Sequence, residues 1–194
     1  MNEKVLIKRK AEVELKIESL AYGGMGIAKK ENFVIFVKNA IPGQTVIARI
    51  YKKKKGYAEA RALKILVESP NVVKPKCNHF YICSKIQNLS YKEQLKEKSN
   101  QVIDAFQRLG GFKDFKLNNV VKGNPIFNYR NKMEFTFSPH RWVLDSEPEG
   151  VSKSFALGLH IPGRYDKILD INNCYIQPEI GNKILKVARE VCLS

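Results

Sequence analysis

The chain has 194 residues, 34 Lys+Arg against 19 Asp+Glu, and a formal net charge of +15 at pH 7. With 44% hydrophobic and 27% charged residues it is too apolar for an intrinsically disordered chain, and its length suits two small domains. No run of about 18 apolar residues occurs, which excludes a membrane-crossing helix of ordinary length.

Residues 1–19 are charged and alternating, with no apolar segment of secretory type. Four cysteines are too few for a disulfide scaffold. The expected location is the cytoplasm, with reduced thiols. The basic surplus points to a polyanionic partner. Nucleic acid fits better than a membrane surface, because no basic amphipathic helix with a large aromatic face is present.

Val13, Leu15 and Ile17 alternate with charged residues, the period of a half-buried strand. A turn with three glycines follows at 21–26, then a nearly continuous apolar strand at 33–37. Ile41-Pro42-Gly43 is a turn signal. Residues 45–51 alternate again, 52–56 form a basic hairpin tip, and 57–66 return as a long strand. Short strands spaced by glycine turns predict a small closed β-barrel of the oligonucleotide-binding type over 1–70. Lys52, Lys53, Lys54 and Lys55 lie at its tip, flanked by Tyr51 and Tyr57. Ammonium groups beside aromatic faces suit a nucleic-acid backbone with bases to stack, although a charge run is also what an ordinary solvated tip carries.

Residues 69–76 contain two prolines and mark a boundary. From 75 to 194 the pattern is α+β, so the fold class is mainly β with an α+β second domain. A helix is predicted over 91–109, with Leu95, Val102, Phe106 and Leu109 on one stripe. Ser90 caps it, Glu93 completes a capping box, and Gly110-Gly111 ends it. Strands are predicted at 132–138, 155–160 and 166–171. Pro178 opens a last helix with Ile180, Ile184, Val187 and Val191 at helical spacing.

Cys77 and Cys83 stand six positions apart, and Cys174 lies on a distant loop. Soft thiolates suit iron–sulfur or zinc, but this spacing is equally that of inert structural cysteines. Cys192 reads as a small apolar residue of the last helix. His79, His140 and His160 are far apart and read as local hydrogen-bonding or surface residues.

Cys77-x-His79-Phe80-x-x-Cys83, followed by Gln87-Asn88-Leu89-Ser90-Tyr91-x-x-Gln94-Leu95, resembles the cluster-binding segment of the RNA uracil-5-methyltransferases. The closest resemblance is to the bacterial branch that methylates 23S ribosomal RNA. Gly23-Gly24-Met25-Gly26-Ile27-Ala28 through Ile41-Pro42-Gly43 resembles that family's N-terminal TRAM barrel. Residues 129–135 and 156–163 resemble its central domain, and Asp170-Ile171-Asn172-Asn173-Cys174 the segment with its last cluster cysteine.

The resemblance implies RNA as partner, 23S rRNA first, with Tyr129, Arg130 and Lys132 as contacts beside the lysine tip. Arginine would offer a fork to phosphate and tyrosine a stacking face. The same three residues also suit an ordinary strand edge.

The resemblance further implies a [4Fe–4S] cluster on Cys77, Cys83 and Cys174. The family's Cys-Gly-Gly-Cys is matched only by Cys83-Ser84-Lys85, so the set is one thiolate short and an intact cluster is not expected. Zinc completed by His79 or Cys192 is an alternative.

In this family a further α/β domain binds S-adenosylmethionine. There a cysteine thiolate adds to C6 of uracil, C5 takes the methyl group, and a base removes the C5 proton. No stretch of this sequence matches that domain. The expectation is therefore an RNA-recognition half, truncated before the catalytic domain and inactive alone, with catalysis lost or supplied by a separately encoded chain. The alternative is a stand-alone, non-catalytic RNA-binding protein.

Overall fold

Six strands form the N-terminal sheet: β1 (Glu12–Lys16), β2 (Ser19–Leu20), β3 (Gly26–Lys30), β4 (Phe33–Lys38), β5 (Thr45–Lys53) and β6 (Tyr57–Val67). The computed structural model describes residues 7–144 and 147–194. The strand order is β1-β5-β6-β4-β3-β2, antiparallel throughout except that β4 and β6 run parallel.

The two edge strands are consecutive in the chain, separated only by Ile17 and Glu18, which bond to opposite sides. Ile17 N–H donates to the Gln44 carbonyl next to β5 (2.9 Å), and Glu18 N–H donates to the Ile27 carbonyl of β3 (2.8 Å). One bent strand thus serves both edges and curls the sheet on itself, covering edges that a flat sheet would expose. In place of the expected closed barrel stands this curled sheet, in which β1 and β2 are the two end strands.

Alternation places Val13, Leu15, Ile17, Ile35, Val37, Val46 and Ile50 inside, together with Ala28, Ala48, Ala58 and Ala60. Burying each branched side chain contributes about 1.5–3 kcal/mol of transfer free energy. The alanines leave room for six strands to curl tightly. Gly26 marks a close approach. A Cβ there would meet Ile17 Cγ2 at 2.8 Å and the Ala40 carbonyl oxygen at 3.0 Å.

The chain divides into two compact units, 1–122 and 123–194. The sheet ends at the expected connection, but residues 71–122 stay with it through an apolar cluster, Leu89 and Ile86 against Leu20 and Ile41, and through polar contacts. Helix α1 (Phe80–Cys83) is one turn, and α2 (Tyr91–Asp104) continues into a π-helical turn, Ala105–Leu109. Ser90 caps α2, its hydroxyl accepting from Glu93 N–H at 3.5 Å. Only half of the capping box forms, because Ser90 N–H donates to the Asn71 carbonyl instead (2.9 Å).

The apolar stripe expected on this helix is not its packing face: Val102, Phe106 and Leu109 are exposed. The buried residue is Glu97, whose Oε2 accepts from Leu20 N–H at 2.7 Å. Gln101 donates to the carbonyls of Leu20 (3.2 Å) and Ala21 (3.3 Å). The β2 end of the sheet offers unpaired backbone groups, so polar side chains cover it.

The second unit holds β7 (Thr136–Trp142), β8 (Ser154–Ile161), β9 (Arg164–Asp170) and α3 (Glu179–Leu193). Each strand pairs with both others. The strand predicted at 132–138 begins later, because the preceding backbone bonds elsewhere. Asn128 N–H donates to the Tyr175 carbonyl (3.0 Å) and Arg130 N–H to the Ile176 carbonyl (2.8 Å).

Arg189 holds α3 to the strands by an ion pair with Asp170 (2.8 Å) and by donating to the carbonyls of Ile171 (2.9 Å) and Leu157 (3.1 Å). On α3 the predicted apolar residues Ile180, Ile184, Val187 and Val191 are exposed, and Asn182 and Leu185 are the buried ones.

Candidate nucleic-acid interface

The outer face of the curled sheet gathers cations in a line. Arg49 of β5 pairs with Arg61 of β6, and Arg61 pairs with Lys38 of the parallel neighbour β4. Three positive side chains therefore stand side by side on three adjacent strands. Like charges directly opposite one another destabilise a sheet, so this row costs folding energy unless an anion meets it. Arg49 is partly compensated by Glu12 of β1, whose Oε1 accepts from Nε (3.1 Å) and Nη2 (2.6 Å). Arg61 and Lys38 make no ion pair among the described residues.

Next to this row, the backbone bulges. Ile50 pairs with Ala60 and Lys52 with Glu59, which leaves Tyr51 as an extra residue on β5. The bulge turns Tyr51 and Lys52 out together, and both reach Glu59. The Tyr51 hydroxyl donates to Glu59 Oε2 (3.0 Å), and Lys52 Nζ donates to Oε1 (2.5 Å). Burial, reinforced by the bond to Glu59, pushes the Tyr51 hydroxyl up to about 12. The bond from Lys52 holds the Glu59 carboxyl below the usual carboxylate range, so Glu59 is ionised at neutral pH. Lys38 Nζ sits 5.0 Å from the Tyr51 ring centroid, in cation–π range. Further along, Phe36 and Tyr57 meet edge to face, centroids 5.6 Å apart.

The lysine tip divides chemically. Lys52 is taken up by Glu59, whereas Lys53, Lys54 and Lys55 are exposed and make no ion pair among the described residues. Lys38, Arg49 and Arg61 escape a reading based on runs, because none of them adjoins another cation in the sequence. Period-two placement finds them: Phe36 and Lys38, Arg49 and Tyr51, and Tyr57, Glu59 and Arg61 all fall on outward positions.

Residues 8–63 match the TRAM domain family. The chain is 35% identical over 187 residues to an uncharacterized RNA methyltransferase of Porphyromonas gingivalis, a match covering 92% of this chain and 40% of that protein. It is 39% identical over 176 residues to another in Bacteroides thetaiotaomicron, covering 88% of this chain and 39% of the relative. Residues 8–63 are thus a TRAM domain, and the chain as a whole is similar to a portion of proteins named RNA methyltransferases. It spans about 40% of the length of these relatives. Among solved structures, its fold resembles part of the Pyrococcus abyssi tRNA (uracil-54, C5)-methyltransferase in complex with S-adenosyl-L-homocysteine. That match has a TM-score of 0.56 and 24% identity, covering 91% of this chain and 36% of the other.

The cysteines singled out by resemblance to this methyltransferase family are distributed over both units. Cys77 is half-buried, its N–H donating to Gln87 Oε1 at 3.3 Å. Cys83 is exposed at the end of α1, its sulfur 3.6 Å from the Ser84 hydroxyl. Cys174 is buried in the second unit. Its backbone is clamped by Asn182, which accepts from Cys174 N–H (2.9 Å) and donates to its carbonyl (3.2 Å). Among the described residues no group of three or more His, Cys, Asp and Glu side chains is placed to hold a metal ion. A serine hydroxyl beside Cys83 is a poor replacement for a thiolate in a four-thiolate cluster. Burial holds the His79 imidazole below its ordinary range, which favours the neutral ring at pH 7.

Tyr129, Arg130 and Lys132 lie in the second unit, all exposed. Arg130 Nε donates to the Lys132 carbonyl (3.1 Å), and Lys132 pairs with Glu134 at 3.2 Å. These bonds engage part of the donors that the family resemblance would offer to RNA.

Proposed function

We propose that this chain is the RNA-recognition portion of an S-adenosylmethionine-dependent RNA (uracil-5-)-methyltransferase acting on ribosomal RNA, 23S first, in the cytoplasm. The carrying observation is the outer face of the TRAM sheet, which carries the Arg49–Arg61–Lys38 row and the Tyr51 bulge, with the exposed lysines of the tip at the end of the same β5–β6 hairpin. Phosphates would meet the cations and exposed bases the aromatic rings. Relatives named as RNA methyltransferases and a fold shared with a tRNA uracil methyltransferase support the reading.

Methyl transfer to uracil C5 requires a nucleophilic thiolate, a base and a bound methyl donor. In this reading those groups come from sequence outside these 194 residues, in the same polypeptide or in a separately encoded chain. Cys77, Cys83 and Cys174 would supply three thiolates, and RNA recognition by the sheet does not depend on a cluster.

The test is binding of the chain to fragments of 23S rRNA and to tRNA transcripts across a salt series, with methyl transfer measured in parallel. The reading expects tighter binding to an rRNA fragment, a steep salt dependence and no methylation by the chain alone. Binding no stronger than that of a neutral protein would overturn it.

A further inference from the structure

A hollow of about 370 Å³ opens on the outer face of the curled sheet, lined by Lys38, Arg49, Tyr51, Arg61 and Leu63. That volume is at the low end for small-molecule pockets, ~300–1,000 Å³. We propose that this hollow is a subsite for one unpaired nucleotide of bound RNA, its phosphate on Arg61 and Arg49 and its base against Tyr51 and Leu63. The inference rests on the RNA-recognition reading above and specifies where and how a nucleotide is held.

Four observations converge on it. First, the cationic row has no full set of partners: Arg49 spends two of its five N–H donors on Glu12, and Arg61 and Lys38 have no ion pair among the described residues. A phosphate answers that charge. Second, the wall is not only charged. Leu63 is 47% exposed beside two guanidinium groups, and Tyr51 adds an aromatic ring. Inorganic phosphate would have no use for that apolar floor, whereas a nucleobase would.

Third, Tyr51 falls on the outer face by alternation with Arg49, and the bulge turns Lys52 to the same face beside it. Fourth, the ring is already fixed. Its hydroxyl donates to Glu59, and Lys38 stands 5.0 Å from its centroid, so little side-chain freedom remains to be lost on stacking. A base inside a duplex is stacked on its neighbours and cannot enter, so the subsite selects single-stranded or looped RNA.

The test uses the whole chain, a labelled oligouridylate and a blunt duplex of the same length. Tyr51→Ala should weaken oligouridylate binding by about 5–150-fold, the range for loss of one base–aromatic stack. The salt slope should stay unchanged. Tyr51→Phe, which keeps the ring and loses the bond to Glu59, should retain most of the affinity. Arg61→Gln should lower the salt slope by about 1. Duplex binding should be unaffected by Tyr51→Ala. In the wild-type chain, 4-thiouridine in the oligonucleotide should crosslink to the strands carrying Tyr51 and Leu63, a readout that needs no variant to fold. The inference is overturned if RNA binds but crosslinks only elsewhere, or if folded Tyr51→Ala binds oligouridylate like wild type; the RNA-recognition reading then stands. If neither RNA binds, both fall.

Discussion

The lysine tip gives a quantitative test, because the structure separates its four residues. Lys52 is paired with Glu59 at 2.5 Å, while Lys53, Lys54 and Lys55 project from the turn without ion pairs among the described residues. Each phosphate neutralised on a single strand contributes about 0.7 to the slope of log affinity against log salt. Replacing Lys53, Lys54 and Lys55 together by Ala should therefore lower the slope by ~2. Over a fourfold change in salt that amounts to about 16–20-fold less loss of affinity than in the wild type. Lys52→Ala should change the slope by less than any one of these, because its ammonium is already neutralised. It also frees Glu59, which would then repel a nearby phosphate. Anisotropy titrations with a labelled single-stranded rRNA fragment at several salt concentrations measure both slopes. A triple variant with the wild-type slope, or a Lys52 variant with the larger effect, would refute the division of the tip.

Three further outcomes follow from particular contacts. Glu97→Ala leaves the buried Leu20 N–H without its acceptor and should cost about 1–3 kcal/mol, read as a lower urea midpoint; an unchanged midpoint would show that α2 is held otherwise. The Tyr51 hydroxyl lies at about 12 in the folded chain against an ordinary 10.0, so the folded state prefers it protonated. Its contribution to stability is complete below pH 10, is lost as pH rises through about 12, and should appear as one late-titrating tyrosine in ultraviolet absorbance that moves toward 10 in Glu59→Gln. Anaerobically purified chain should carry less than the four irons and four sulfides of an intact cluster, and stoichiometric iron and sulfide would mean that a ligand besides three cysteines completes the site.

Much of the TRAM sheet was legible because its strands alternate cleanly between a buried and a solvated face. Val13-x-Leu15-x-Ile17 and Val46-x-Ala48-x-Ile50 point inward as their spacing implies. The bend at Ile17–Glu18 was not legible: those residues continue the alternation, and only their hydrogen-bond partners show that the strand changes edge. The bulge at Tyr51 was hidden for a similar reason, since one inserted residue leaves no mark beyond a broken alternation at Lys52.

The helices misled in the opposite way. Helical spacing of Val102 and Phe106, or of Ile184 and Val191, correctly marks a helix but does not say that the stripe is buried. Here the contacts that seat α2 and α3 run through Glu97, Gln101, Asn182 and Arg189. The lysine run was visible as composition. The cationic row across three strands was not, because its members become neighbours only through strand pairing, Arg49 with Arg61 across β5 and β6 and Lys38 with Arg61 across the parallel β4 and β6.

The most direct test of the account is to map bound RNA on the isotopically labelled chain by amide chemical-shift changes during titration with a single-stranded rRNA fragment. The account predicts shifts concentrated on β4, β5, β6 and the tip between them, strongest around Lys38, Arg49, Tyr51 and Arg61. Shifts confined to residues 123–194, or none at RNA concentrations that saturate binding, would contradict it.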